Sequence, residues 1–182
     1  PDFVIEDGLP HAQRLLISLR KYGNIKVMSS FVVHEHHSKK LHYDLRLEIG
    51  GALKSWTIPK GPSMNPKDKR LAVMVDDHPL EYGIFEGIIP EGHYGAGPVI
   101  IWDSGTYDSV KQDIIKGKIE FYLRGKKLKG LFVLTRMKGK EKEWLFIKKN
   151  DEYSDGNFEI RPELTEERRR LLQEKIQSCH MT

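Results

Sequence analysis

The sequence predicts a mainly β protein: a small single-domain β-barrel with a short N-terminal helix and a C-terminal helix. Three observations carry this prediction. From Phe31 onward apolar residues recur with a period of two, eight short segments are rich in β-branched or aromatic residues, and Gly, Pro or charged turns separate them. The chain has 182 residues, the size of one domain, and buries enough surface to fold without a disulfide or a structural metal. Three regions are expected: a helical arm at 1–28, the barrel at 29–160 and a helical tail at 161–182.

In the arm, Ala12, Leu15, Leu16 and Leu19 lie at helical spacing, Asp7 and Pro10 supply start signals and Gly23 a stop. The expected strands lie near Phe31–His34, His42–Ile49, Leu53–Ile58, Leu71–Val75, Val99–Trp102, Lys118–Leu123, Leu131–Met137 and Trp144–Lys149. Ile49-Gly50-Gly51-Ala52 is the clearest hairpin, since two glycines supply the positive φ angles of a two-residue turn. That turn sets Asp44 opposite Thr57, Arg46 opposite Ser55 and Leu45 opposite Trp56. Val73 and Val75 are expected to face the core. Two long loops, Pro59–Lys69 and Glu86–Pro98, read as functional rims. In the tail, Pro162–Gln177 places Leu164, Leu171, Leu172 and Ile176 among charges, with Arg168, Arg169 and Arg170 expected on a solvated helix face.

Composition narrows the setting. Thirty Lys+Arg against 26 Asp+Glu give a net charge of +4, which suits a solvated globule with a basic face. The single cysteine, Cys179, excludes an intramolecular disulfide framework and fits a reducing compartment. The longest apolar run, Leu71 to Val75, is far shorter than the roughly 18 residues of a membrane helix, so no membrane association is expected. No secretory leader opens the sequence and Pro1 reads as a processed or expression-derived terminus, which makes the cytoplasm the expected compartment.

Six of the eight histidines lie between His34 and His93. In the strand from His42 to Ile49, alternation puts His42, Asp44, Arg46 and Glu48 on one face and Tyr43, Leu45, Leu47 and Ile49 on the other. The apolar face belongs to the core. The polar face carries an imidazole, a carboxylate and a guanidinium at steps of about 7 Å. An imidazole and a carboxylate at i and i+2 can reach one divalent cation, and Arg46 can bind the anion that the cation polarises. A solvent-facing strand with an ordinary Asp–Arg pair is the alternative. His36, across a short polar turn, can supply a third ligand, and His34 and His37 compete for that role. A second cluster joins Arg70, Asp76, Asp77, His78 and Tyr82, where Pro79 stops the strand at a barrel rim; taken alone, Asp76 to Pro79 is a turn signal. Gly92–Gly97 lacks the spacing and lysine of a phosphate-binding loop and reads as backbone packing. Neither a nucleophile elbow nor a catalytic cysteine is present.

Several ordered blocks then carry a resemblance. His36-x5-His42-Tyr43-Asp44-x-Arg46-Leu47-Glu48 is followed by Leu53-Lys54-Ser55-Trp56-x2-Pro59-Lys60-Gly61-Pro62-Ser63, Lys69-Arg70-Leu71-Ala72-Val73 and Asp77-His78-Pro79-Leu80-x-Tyr82. Phe85-Glu86-Gly87-x2-Pro90-x-Gly92-x-Tyr94-Gly95-Ala96-Gly97-x-Val99-x2-Trp102-Asp103 completes them. Together they resemble the 3′-phosphoesterase domain of bacterial DNA ligase D, over roughly two-thirds of the chain from about Phe31 to Lys149.

The resemblance implies a β-barrel enzyme acting at DNA 3′ ends, with a divalent metal, typically manganese, on His36, His42 and Asp44. It chooses His36 among the competing histidines. It gathers Arg46, His78 and Tyr82 around the scissile phosphate and brings Lys60, Arg70 and Asp76 near the site, although the family often has glutamate where this chain has Asp76. Mixed N/O ligation suits manganese, zinc or cobalt better than magnesium. The implied reaction is phosphoester hydrolysis in DNA strand-break repair, on primer–templates ending in a 3′ ribonucleotide or a 3′ phosphate. A chain of 182 residues leaves joining to a separate ligase or polymerase partner. The competing class is a non-catalytic nucleic-acid-binding barrel in which Trp56, Tyr94 or Trp102 stacks on bases. A phosphatase for small metabolites is a third reading.

Overall fold

The first hairpin sets the frame of the whole sheet. Gly50 and Gly51 have φ of +63° and +84°, the pair of left-handed conformations that a two-residue type I′ turn needs and that glycine alone adopts without steric cost. The turn joins β2 (Leu41–Ile49) to β3 (Ala52–Ile58), with Asp44 opposite Thr57, Leu45 opposite Trp56 and Arg46 opposite Ser55, as expected. The computed structural model describes residues 28–179. The expected helical arm at 1–28 lies outside the described residues, Met28 apart.

The remaining strands are β1 (Ser29–His37), β4 (Lys69–His78), β5 (Gly87–Ile89), β6 (Gly97–Asp113), β7 (Lys118–Gly125), β8 (Lys129–Arg136) and β9 (Glu143–Lys148). All pairings are antiparallel, in the order β1-β2-β3-β4-β9-β8-β7-β6, and β6 pairs back onto β1 to close an eight-stranded barrel. Closure leaves no free edge around the ring. Each of the eight expected segments coincides with one of these strands, Met137 and Lys149 alone falling one residue past the ends of β8 and β9.

Two features were not anticipated. β6 runs far past Val99–Trp102 to Asp113, pairing first with β1 and β5 and then with β1 and β7. The short β5, inside the expected loop Glu86–Pro98, lies along the start of β6.

Inward-facing side chains fill the barrel. Phe121, Phe132 and Phe146 stack with ring centroids 4.9 to 6.5 Å apart, and Trp56 meets Trp144 edge-on at 5.8 Å. Tyr43, Leu45 and Leu47 belong to the same core. On β4 the expected parity is reversed: Ala72 is buried in the core and Met74 packs against it, while Val73 and Val75 face outward. Val73 and Val75 pair with Thr57 and Ser55, which lie on the outer face with Asp44 and Arg46, and a bulge follows them. Ser55 pairs with Val75, yet Leu53 pairs with His78, so β4 carries one extra residue there. A regular ladder would set Asp77 opposite Leu53; the bulge sets His78 there instead, on the outer face beside Ser55.

After the barrel, helix α1 (Glu166–Cys179) starts later than the expected Pro162. Thr165 caps it, its Oγ1 accepting the Arg168 N–H at 3.2 Å. Arg168 is not on a solvated face: it pairs with Glu86, tying α1 to the segment before β5, while Arg169 and Arg170 pair within the helix. Glu35, fully buried, accepts the N–H groups of Glu163 and Leu164 at 2.6 and 3.1 Å.

Candidate active site

Antiparallel pairing sets cross-strand partners on the same face. His36 pairs with His42, His34 with Asp44 and Asp44 with Thr57, so the outer face of β1, β2 and β3 is a continuous polar surface. The excursion after β4, a 3₁₀ turn at Leu80–Ile84 followed by β5 and the loop to Gly97, borders this surface. Between them lies a cleft of about 1000 Å³. The solvent-facing alternative for β2 therefore fails, since Asp44 and Arg46 are only 5% and 3% exposed.

One ligand atom each from His36, His42 and Asp44 lies within 4.8 Å of the other two. Backbone carbonyls orient both rings. His36 Nε2 lies 2.6 Å from the Gly95 carbonyl and His42 Nδ1 lies 2.9 Å from the Lys40 carbonyl. A carbonyl only accepts, so each of these nitrogens carries the ring proton. The opposite nitrogens, His36 Nδ1 and His42 Nε2, face the Asp44 carboxylate at 3.7 and 3.8 Å. Two imidazole nitrogens and a carboxylate oxygen converging on one point form a cation donor set, and imidazole oriented by a carbonyl is the usual dress of a metal ligand. The donor set thus fits a divalent metal. Gly95 has φ of +77°, and a Cβ there would lie 3.2 Å from His36 Cε1, so its backbone conformation and its place against the ring both favour glycine.

Arg46 sits at the centre of a second group. It donates through Nε to His34 Nδ1 at 3.1 Å, through Nη1 to Ser55 Oγ at 2.8 Å and His78 Nδ1 at 2.9 Å, and through Nη2 to Asp44 Oδ2 at 3.1 Å. The Tyr82 ring lies 4.9 Å from the guanidinium and stacks on Phe85. Burial would raise the Asp44 carboxyl; the His36 ring, the Arg46 charge and the Thr57 hydroxyl, which donates at 2.6 Å, hold it down at about 2. Burial and then the Arg46 charge lower His34 to about 3 and lower His78. Burial raises Tyr82, so its phenol stays protonated. The group is therefore one buried cation, one carboxylate and neutral rings.

This geometry sorts the candidate residues. His36, His42, Asp44, Arg46, Asp76, His78 and Tyr82 all line the cleft. Lys60 is exposed just after β3, and Arg70 pairs with Asp68 at 2.7 Å, opposite Phe146 on the face of β4 that carries Ala72 inward; neither lines the cleft. His34 is spent on Arg46, and His37 lies 2.5 Å from Glu35. Trp56 and Trp102 are buried in the core and cannot stack on a base; Tyr94 is exposed. Ser55 and Thr57, which the hairpin register sets opposite Arg46 and Asp44, join the site by bonding to them, a role not among the expectations. Lys142, from the turn before β9, also reaches the cleft, and nothing in its sequence neighbourhood signals this.

Comparison with known proteins agrees with the geometry. Residues 34–136 match the family described as the DNA ligase D 3′-phosphoesterase domain. The chain is 49% identical over 126 residues to the multifunctional non-homologous end joining protein LigD of Pseudomonas aeruginosa, covering 66% of this chain and 15% of that protein. It is 44% identical over 134 residues to the LigD protein of Mycobacterium tuberculosis, covering 72% of this chain and 17% of the relative. For the LigD protein of Mycolicibacterium smegmatis the figures are 41% over 146 residues, 75% and 19%. The chain thus spans less than a fifth of the length of these relatives. With the family's residues matched and its polar face folded into one cleft, this chain belongs to the DNA ligase D 3′-phosphoesterase domain family.

Proposed function

We propose that the protein is a metal-dependent DNA 3′-end-healing phosphoesterase acting in strand-break repair. The observation that carries the reading is the junction of the two groups at Asp44, which faces His36 and His42 on one side and Arg46 on the other. His36, His42 and Asp44 would hold a divalent cation, most suitably manganese, with zinc or cobalt as alternatives of similar donor preference. When bound, that cation would polarise a phosphoryl oxygen and acidify a water.

The remaining work falls to the chain's own side chains. Arg46, preorganised by four partners, offers its positive charge to the phosphoryl oxygens as negative charge builds on them. His78 is the proton carrier. A guanidinium only donates, so Nδ1 accepts from Arg46; when Arg46 turns toward an anion, the Asp76 carbonyl, 3.0 Å from Nδ1, accepts from a protonated Nδ1 instead. His78 can then pass a proton to the leaving oxygen, the 5′ oxygen of the departing nucleoside in a phosphodiester and the 3′ oxygen in a phosphomonoester. Tyr82 carries Arg46 on its ring and keeps a phenol O–H available to the phosphate. The reading assigns no chemical step to Lys60 or Arg70.

The reaction would proceed in two cuts. A phosphodiesterase cut removes a 3′-terminal ribonucleoside and leaves a 3′ phosphate; a phosphomonoesterase cut then leaves a 3′ hydroxyl. Strand joining belongs to a ligase or polymerase acting on that hydroxyl. The test is incubation with manganese and an end-labelled primer–template bearing one 3′ ribonucleotide. A transient 3′-phosphate species followed by the 3′-hydroxyl product is expected. Absence of both products, with the DNA still bound, would overturn the reading in favour of a non-catalytic barrel.

A further inference from the structure

Among the aromatic side chains of the described residues, Tyr94 stands apart. Tyr43, Trp56, Trp102 and Tyr107 are buried in the barrel, whereas Tyr94 is 102% exposed, as open as an isolated residue. A large ring held in water at no gain to the fold is what base-stacking surfaces look like.

Its position gives the ring a purpose. Tyr94 lies on the wall of the cleft, next in sequence to Gly95, whose carbonyl orients His36. Adjacent Cα atoms are about 3.8 Å apart, so the Tyr94 backbone is held at a fixed short distance from the ligand group while its ring stays free. The loop is braced by turns from His93 N–H to the Pro90 carbonyl and from Ala96 N–H to the His93 carbonyl, at 3.3 and 3.2 Å. Two lysines, Lys39 and Lys142, reach the same cleft from separate turns, and among the described residues neither has an ion-pair partner. Ammonium groups beside an open ring suit a polyanion that carries bases.

We propose that Tyr94 is the stacking platform for the terminal nucleobase of the 3′ end, with Lys39 and Lys142 contacting the backbone phosphates. This rests on the phosphoesterase reading for which end of the strand is bound, but it concerns a residue with no part in the bond-breaking step. It makes the substrate a nucleic-acid end that carries a base, and it separates such ends from small phosphate esters.

The test uses the whole chain and oligonucleotides with a 3′ phosphate, ending either in 2-aminopurine or in an abasic tetrahydrofuran. Stacking quenches 2-aminopurine fluorescence. Tyr94→Ala is expected to lose the quench and to raise KM for the base-bearing end by about tenfold or more, while Tyr94→Trp retains both. The abasic end, having no base to stack, is expected to bind wild type and Tyr94→Ala alike. An unchanged quench in Tyr94→Ala, or an equal KM penalty on the abasic end, would overturn the proposal. A Tyr94-dependent quench without any hydrolysis would uphold the platform and sink the phosphoesterase reading instead.

Discussion

Asp44 and Asp103 are almost equally buried, at 5% and 2% exposure, yet their partners differ in kind. Asp103 accepts three backbone N–H groups, from Ser104, Lys126 and Leu128, at 2.7 to 2.9 Å. It pins β6 to the turn between β7 and β8. Glu35 likewise accepts two backbone N–H groups, before α1, and it holds His37 as well. Asp44 accepts only from side chains, Thr57 and Arg46, and its other neighbours are two imidazole nitrogens too distant for a hydrogen bond. A carboxylate ringed by backbone amides is committed to holding the chain. One held by side chains that also face a cleft is a candidate binding element, and its buried charge costs stability.

Separating the two kinds of acid by mutation should give opposite results. Asp103→Ala leaves three buried amides without an acceptor and is expected to cost about 3 to 5 kcal/mol of stability, read from urea denaturation. Activity per folded molecule should be retained. Arg46→Lys, in the other region, keeps a charge but loses the fork that reaches His34, Ser55, His78 and Asp44. A fall of about 100- to 1000-fold in kcat on a 3′-phosphate oligonucleotide is expected, with cooperative unfolding preserved.

A pH series sharpens the same contrast. His34 takes a proton at its ordinary value near 6.5 when unfolded but only at about 3 when folded. Between these values the unfolded chain binds more protons, so stability is full above about pH 6.5 and falls as pH drops toward 3. The loss should amount to roughly 2 to 4 kcal/mol, and His34→Gln should remove most of it. Asp44, held at about 2, has the same sign at lower pH: its contribution is present above its ordinary value of 3.8 and is lost as pH falls through about 2. A smaller effect is expected from Gly95→Ala. The added methyl, 3.2 Å from His36 Cε1, should weaken metal affinity by about tenfold, measured by titration calorimetry.

How legible this was in the sequence depended on whether a local rule governed each feature. The Gly50-Gly51 turn admits one register, so the pairing of Asp44 and Arg46 with Thr57 and Ser55 could be read directly, and strict alternation from His42 onward assigned the β2 faces. The bulge in β4 obeys no such rule. One extra residue among Asp76, Asp77 and His78 brings His78 to the face of Ser55 and Arg46, and the Val73 and Val75 alternation reads equally well with either face inward on paper. The choice of His36 over His34 and His37 rested on resemblance. In the structure Arg46 occupies His34 and Glu35 holds His37, which leaves His36 facing Asp44 beside His42. Lys142 and the pairing of Arg168 with Glu86 join segments far apart in the chain, which no spacing rule reaches.

The central claim is that His36, His42 and Asp44 bind one divalent cation. The direct measurement is Mn²⁺ binding by electron paramagnetic resonance titration at neutral pH, on the wild type and on His36→Ala, His42→Ala and Asp44→Ala, each first shown to unfold cooperatively. One tight site is expected in the wild type, with affinity reduced by at least about 100-fold in each variant. Equal manganese binding by wild type and the three variants, or no binding by wild type, would contradict the account.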